Sequence, residues 1–131
     1  MPCWRSATLR RVAERAKVGA SAERAVARYL EQQGYDIVGM NLRVGRLELD
    51  VVARRGGLIV VVEVRTRGAG AWTSGFGSID AQKQQRIRRA GERLWQRRYR
   101  HDASAERLRF DAASVRFEDG RAVVEYAAAA F

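Results

Sequence analysis

Residues 47–66 read Leu47-Glu48-Leu49-Asp50-Val51-Val52-Ala53-Arg54-Arg55-Gly56-Gly57-Leu58-Ile59-Val60-Val61-Val62-Glu63-Val64-Arg65-Thr66. The second half, Leu58 to Thr66, is apolar on both faces as far as Val64 except at Glu63, the pattern of a covered central strand. The first half, Leu47 to Arg54, alternates: Leu47, Leu49, Val51 and Ala53 fall on one face, and Glu48, Asp50 and Val52 on the other. Gly56-Gly57 is a two-residue turn signal between them. If that turn closes a hairpin, Arg55 pairs with Leu58, and counting outward sets Asp50 opposite Glu63 on one face. An ionised carboxylate in a buried strand costs several kcal/mol without compensation, so Glu63 requires a nearby cation or a raised pKa.

The flanking sequence supplies the other layers. From Ser21 to Gln33, Ala22, Ala25, Val26, Tyr29 and Leu30 recur at helical spacing, and Gly34 is a stop signal. Tyr35 to Leu42 reads as a short strand. Gly68 to Gly77 holds four glycines in ten residues without a period and predicts a loop. A long helix is predicted from about Ser78, as N-cap, to about Arg100. Strands at Arg109–Phe117 and Arg121–Tyr126 follow, joined at Glu118-Asp119-Gly120. The order α-β-β-β-α-β-β predicts an α/β fold with a central mixed sheet of about five strands flanked by helices. Residues 1–18 form a basic segment, read as a surface helix or as an Arg-rich presequence, and residues 19–131 form one domain.

Twenty-five basic residues against fifteen acidic ones give a net charge of +10. Such a field attracts polyanions, nucleic acid first among them. The 25 comprise Lys17, Lys83 and 23 arginines, whose planar forks suit phosphate better than a point charge does. The single cysteine, Cys3, forms no internal disulfide and seeds no zinc cluster, which points to a reducing, cytoplasmic setting. Apolar runs such as Leu58–Val62 fall far short of the roughly 20 residues of a membrane span. His101 is the single histidine and offers no second ligand for a histidine-based site.

Paired carboxylates on adjacent strands form a hard-oxygen site that suits Mg²⁺ or Mn²⁺. The plainer alternative is a Glu63–Arg65 or Glu63–Arg54 ion pair without chemistry. On the long helix, Ile79, Lys83, Ile87, Ala90 and Leu94 form one seam; Lys83 either snorkels to its edge or reaches the carboxylates. Arg86, Arg89, Arg93, Arg97 and Arg100 repeat on a neighbouring face, as a solvated surface or as a phosphate-tracking stripe. Trp72 and Phe76 either stack on an unpaired base or pin the glycine-rich loop. Asp111 reads as a strand-end acid paired with a local arginine.

Glu23, Tyr29-Leu30, Gly34-Tyr35, Asn41-x-Arg43, Glu48-Leu49-Asp50, Glu63-Val64-Arg65, Lys83-Gln84-x-Arg86 and Arg109-Phe110-Asp111 stand in the order and approximate spacing of the YraN-like family. The chain resembles that family over about Gly19 to Val115. The family is similar to Holliday-junction resolvases, in the PD-(D/E)XK restriction-endonuclease-like superfamily. The resemblance implies Asp50 and Glu63 as metal ligands, Glu48 as an additional acid, and Glu23 as an auxiliary acid from the first helix. Arg65 occupies the superfamily's usual lysine position; arginine does not give up its proton, so water activation would fall to the metal. Leu47 departs from the glycine usual before Glu-x-Asp, which bears on the aim of Glu48. The function expected is a metal-dependent endonuclease acting on structured or branched nucleic acid, DNA before RNA. It would use Asp50, Glu63, Arg65, Lys83 and Glu23 for chemistry with Mg²⁺ or Mn²⁺, and Arg43, Arg86, Arg89, Arg93, Arg97 and Trp72 for contact. A homodimer would match a two-fold symmetric junction. The alternatives are a binding module of the same fold without turnover, or a scaffold on an acidic protein or ribosomal RNA.

Overall fold

The computed structural model describes residues 19–67 and 79–131. The glycine-rich loop with Trp72 and Phe76, and the basic segment 1–18, lie outside the described residues. Helix α1 covers residues 19–32. Strands β1 (Asp36–Val44), β2 (Leu47–Arg55) and β3 (Leu58–Thr66) follow, then α2 (Ala81–Leu94) with a π-helical turn at Trp95–Tyr99, then β4 (Arg107–Glu118) and β5 (Arg121–Ala127).

The Gly56-Gly57 hairpin closes as its sequence predicts, with Arg55 opposite Leu58 and Val51 opposite Val62. Gly56 adopts φ +60°, a left-handed conformation that glycine enters without steric cost. The sheet order is β1-β2-β3-β4-β5. Its pairs are antiparallel except β3 with β4, which run parallel because the chain crosses over through α2. β3 is therefore interior and paired on both sides, as its apolar run requires.

Each sheet face is covered by one helix. Ala22, Val26 and Leu30 of α1 pack against Val51, Ala53, Val60, Val62, Ala113 and Val115. Ile87, Ala90 and Leu94 of α2 pack against Val52, Ile59 and Val61 on the opposite face. This layered mixed sheet is the arrangement of a restriction-endonuclease-like fold.

Four local expectations need correction. The α2 N-cap is Asp80, whose Oδ1 accepts the Lys83 N–H at 2.8 Å, so the helix starts after Ser78. Ile79, predicted in the helical seam, is buried just ahead of that cap. The predicted helix to Arg100 leaves α-helical register after Leu94: the Arg100 N–H reaches the Trp95 carbonyl at 2.9 Å, five residues back. The wider turn brings Tyr99 onto the face already held by Leu94, a spacing an α-helix would turn away from the sheet. Finally, β2 does not alternate throughout. Leu47 and Leu49 pack with the α2-side cluster, whereas Val51 and Ala53 pack with the α1-side cluster, so alternation breaks around Asp50. Among the described residues, no helix is long and apolar enough to cross a membrane.

Candidate carboxylate site and arginine trough

The break in β2 has a partner in β1. Asn41 lies between the pairs Met40–Val51 and Leu42–Leu49, which places it opposite Asp50, and it adopts φ +49°. Asparagine tolerates that left-handed geometry better than most residues. Its Nδ2 donates to Glu23 Oε2 at 2.8 Å, tying α1 to the bend.

At the same level the Val64 N–H donates to Asp50 Oδ2 at 2.9 Å. Asp50 and Glu63 come within side-chain hydrogen-bonding reach, with Glu23 close enough to add to the negative field. Burial, followed by the Glu63 charge, pushes the Asp50 carboxyl up to about 7, and the Val64 N–H opposes the rise. Glu63 is 6% exposed, and Lys83 Nζ stands 2.5 Å from its Oε1. The cation at Glu63 is thus Lys83, arriving from α2 on the same face of the sheet. Arg54 is engaged elsewhere: its Nη1 donates to Asp102 at 2.9 Å and its Nη2 to Ser104 at 2.7 Å. Arg65 sits two positions beyond Glu63, beside Ser114 of β4 in the parallel register.

Glu48 does not join the other two acids in a three-acid cluster. It is exposed and lies 3.6 Å from Arg43, because the break in β2 separates its direction from that of Asp50. Among the described residues, no group of three or more His, Cys, Asp or Glu is placed to hold a metal ion, so any ion here would rest on the Asp50–Glu63 pair. Arg43 is accordingly an ion-pair partner of Glu48 at the rim.

Two cavities adjoin. One, of about 420 Å³, is lined by Glu48, Asp50, Glu63, Lys83, Arg86 and Ile87 among others. The second, of about 770 Å³, runs between the β1–β2 turn and α2 along Gly45, Arg46, Arg86, Arg89 and Arg93. They share Arg46, Leu47 and Arg86. Of the predicted arginine stripe, Arg86, Arg89 and Arg93 line this trough. Arg97 lies in the π-helical turn and Arg100 beyond it, and neither lines either cavity.

Sequence reasoning missed Arg46, because no periodicity marks a turn residue; the available signal is Gly45-Arg46 between two strands. It also misplaced Asp111, which is no strand-end acid but a fully buried residue inside β4. Its arginine partner is Arg109, as expected, at 2.8 Å. Nothing local to Arg109-Phe110-Asp111 reveals the distant donors Tyr126 and Ala129 that complete its surroundings.

A family model described as "Uncharacterised protein family UPF0102" matches residues 22–115. A UPF0102 protein of Sorangium cellulosum (strain So ce56) is 55% identical over 118 residues, covering 89% of this chain and 82% of that protein. A UPF0102 protein of Myxococcus xanthus (strain DK1622) is 37% identical over 119 residues, with 91% and 92% covered. One of Pseudomonas aeruginosa (strain LESB58) is 37% identical over 103 residues, with 79% and 81% covered. On the matched span and on these identities, the chain belongs to the UPF0102 family.

Proposed function

We propose that this chain is a divalent-metal-dependent nucleic-acid phosphodiesterase, an endonuclease of structured or branched nucleic acid, with DNA the first substrate to test. One observation carries the reading: Asp50 and Glu63 meet in a cavity that opens onto arginines, with Lys83 on one of them. Two carboxylates at such range do not both stay ionised unless a cation comes between them. The donor set fits Mg²⁺ or Mn²⁺, hard ions that take carboxylate oxygens, keep several waters and accept substrate phosphate oxygens. Asp50 and Glu63 would hold the ion, with Glu48 at the rim, and it would supply Lewis acidity and a more acidic water.

The remaining roles belong to the chain itself. The Val64 N–H fixes one Asp50 oxygen, and Asn41 holds Glu23 beside the pair. Lys83 offsets the Glu63 charge and has further N–H donors for a phosphate oxygen. Arg65 supports developing negative charge and is no general base, since guanidinium keeps its proton.

The test is cleavage of duplex, single-stranded, flap and four-way substrates in Mg²⁺ or Mn²⁺. Asp50→Ala and Glu63→Ala are each expected to abolish metal-dependent cleavage while leaving binding in EDTA largely intact. Cleavage surviving both substitutions overturns the reading. Binding without cleavage by the native chain on every substrate would reassign it to a binding module of the same fold.

A further inference from the structure

We infer that the trough between the β1–β2 turn and α2 is a phosphate-backbone subsite, in which Arg46, Arg89 and Arg93 hold the stretch of strand adjoining the carboxylates. The identity of the occupant rests on the phosphodiesterase reading above. Gly45-Arg46 is a two-residue turn between the paired residues Val44 and Leu47, and Gly45 adopts φ +62°. A Cβ on Gly45 would stand 2.8 Å from Arg93 Nη1, so this guanidinium lies against bare turn backbone. The left-handed backbone favours glycine there, and a Cβ would force the flexible end of Arg93 to shift.

Arg86, Arg89 and Arg93 recur at i, i+3 and i+7, which puts them on one side of α2 facing the turn. With Arg46 they make four arginines against Glu92 as the acid in the lining. None of the four makes an ion pair with another described residue, in contrast to Arg54, Arg109 and Arg116. Positive charge left uncompensated by protein is compensated by counterions, which a polyanion displaces on binding. Arg46 and Arg86 line both cavities, so a strand lying in the trough continues onto Asp50 and Glu63.

The experiment measures anisotropy of a fluorescein-labelled oligothymidylate with the full chain in EDTA across a range of salt. Arg46→Ala and Arg93→Ala are each expected to flatten the dependence of log K on log salt by about 0.7. Arg121→Ala removes the same charge from β5, at the opposite sheet edge from β1, and is expected to leave the slope unchanged. Gly45→Ala loses no charge yet is expected to weaken binding by displacing Arg93, with its melting temperature recorded alongside; the two arginine variants decide the matter if it does not fold. Equal flattening by Arg46→Ala and Arg121→Ala overturns the subsite in favour of diffuse charge. Displacement of the oligonucleotide by polyglutamate at equal charge overturns it in favour of an acidic protein. Because EDTA removes any need for turnover, a failure of cleavage with the Arg46 effect intact counts against the phosphodiesterase reading alone.

Discussion

Asp50 and Asp111 both sit on the sheet among apolar neighbours, yet their surroundings are opposite. Asp111 is fully buried and surrounded by donors. Arg109 reaches its two oxygens from Nε at 2.8 Å and Nη2 at 2.9 Å, the Ala129 N–H donates at 2.8 Å, and the Tyr126 hydroxyl donates to Oδ2. Arg109 Nη2 also reaches the Tyr35 hydroxyl at 3.1 Å, so the network ties the start of β1 to β4 and the chain's C-terminal end. Burial, together with the bond to Asp111, pushes the Tyr126 phenol well above its ordinary range. Asp50 receives one backbone N–H and otherwise faces Glu63. The difference separates two uses of an acid on the sheet, one fully buried and one half-buried. A carboxylate whose lone pairs are filled by protein donors holds the fold together, whereas one set against another carboxylate is arranged to receive something the protein does not itself supply.

That contrast breaks first at Asp111. Asp111→Asn leaves the Arg109 charge without its counter-ion in the core and is expected to cost about 3–5 kcal/mol in urea unfolding. A loss below about 1 kcal/mol would mean the network is not what secures this end of the sheet. Asp50→Asn is expected to act with the opposite sign. The folded-state pKa of Asp50 is raised, from 3.8 to about 7, so between those values the folded chain binds more protons than the unfolded one. Its stabilising contribution is complete below pH 4 and is lost as pH rises towards 7. In chelator at pH 8 the asparagine variant should therefore be more stable than the native chain by about 2–4 kcal/mol, and the gap should close by pH 4. Mg²⁺ or Mn²⁺ should raise the melting temperature of the native chain at pH 8 and not that of the variant. A pH-independent difference would remove the contrast between the two acids. The smallest effect sharpens it: Tyr126→Phe removes one donor of several from Asp111 and is expected to cost about 1–2 kcal/mol, with cleavage and binding by the folded variant unchanged.

Particular residues show how far the chain is legible without coordinates. Gly56-Gly57 between two strand-forming runs is enough to set the register from Arg55–Leu58 out to Val51–Val62, one step short of Asp50 and Glu63, because a two-residue turn sets register and side chains then alternate. The same counting fails on the far side of Asp50, where Asn41 in the neighbouring strand bends the sheet and moves Leu49 to the α2 side. Lys83 was readable as a misfit in an apolar seam, though not as the partner of Glu63 in preference to Arg54. The arginine stripe was readable over the turns of α2 and lost at Trp95, where the π-helical turn changes the angle between successive side chains. For Arg46 the sequence offers only the turn signal Gly45-Arg46, since what makes it part of a site is the helix that passes in front of it.

By itself the sequence determined the succession of helices and strands, the covered central strand and the excess of positive charge. Those features come from spacing along the chain, turn-forming residues and composition, all of which act locally or by simple sum. Tertiary structure alone decided which cation meets Glu63, which donors enclose Asp111, and that two cavities join at Arg46. Each depends on side chains brought from distant parts of the chain by the crossover through α2 and by the bend at Asn41, and no local period encodes where such segments meet.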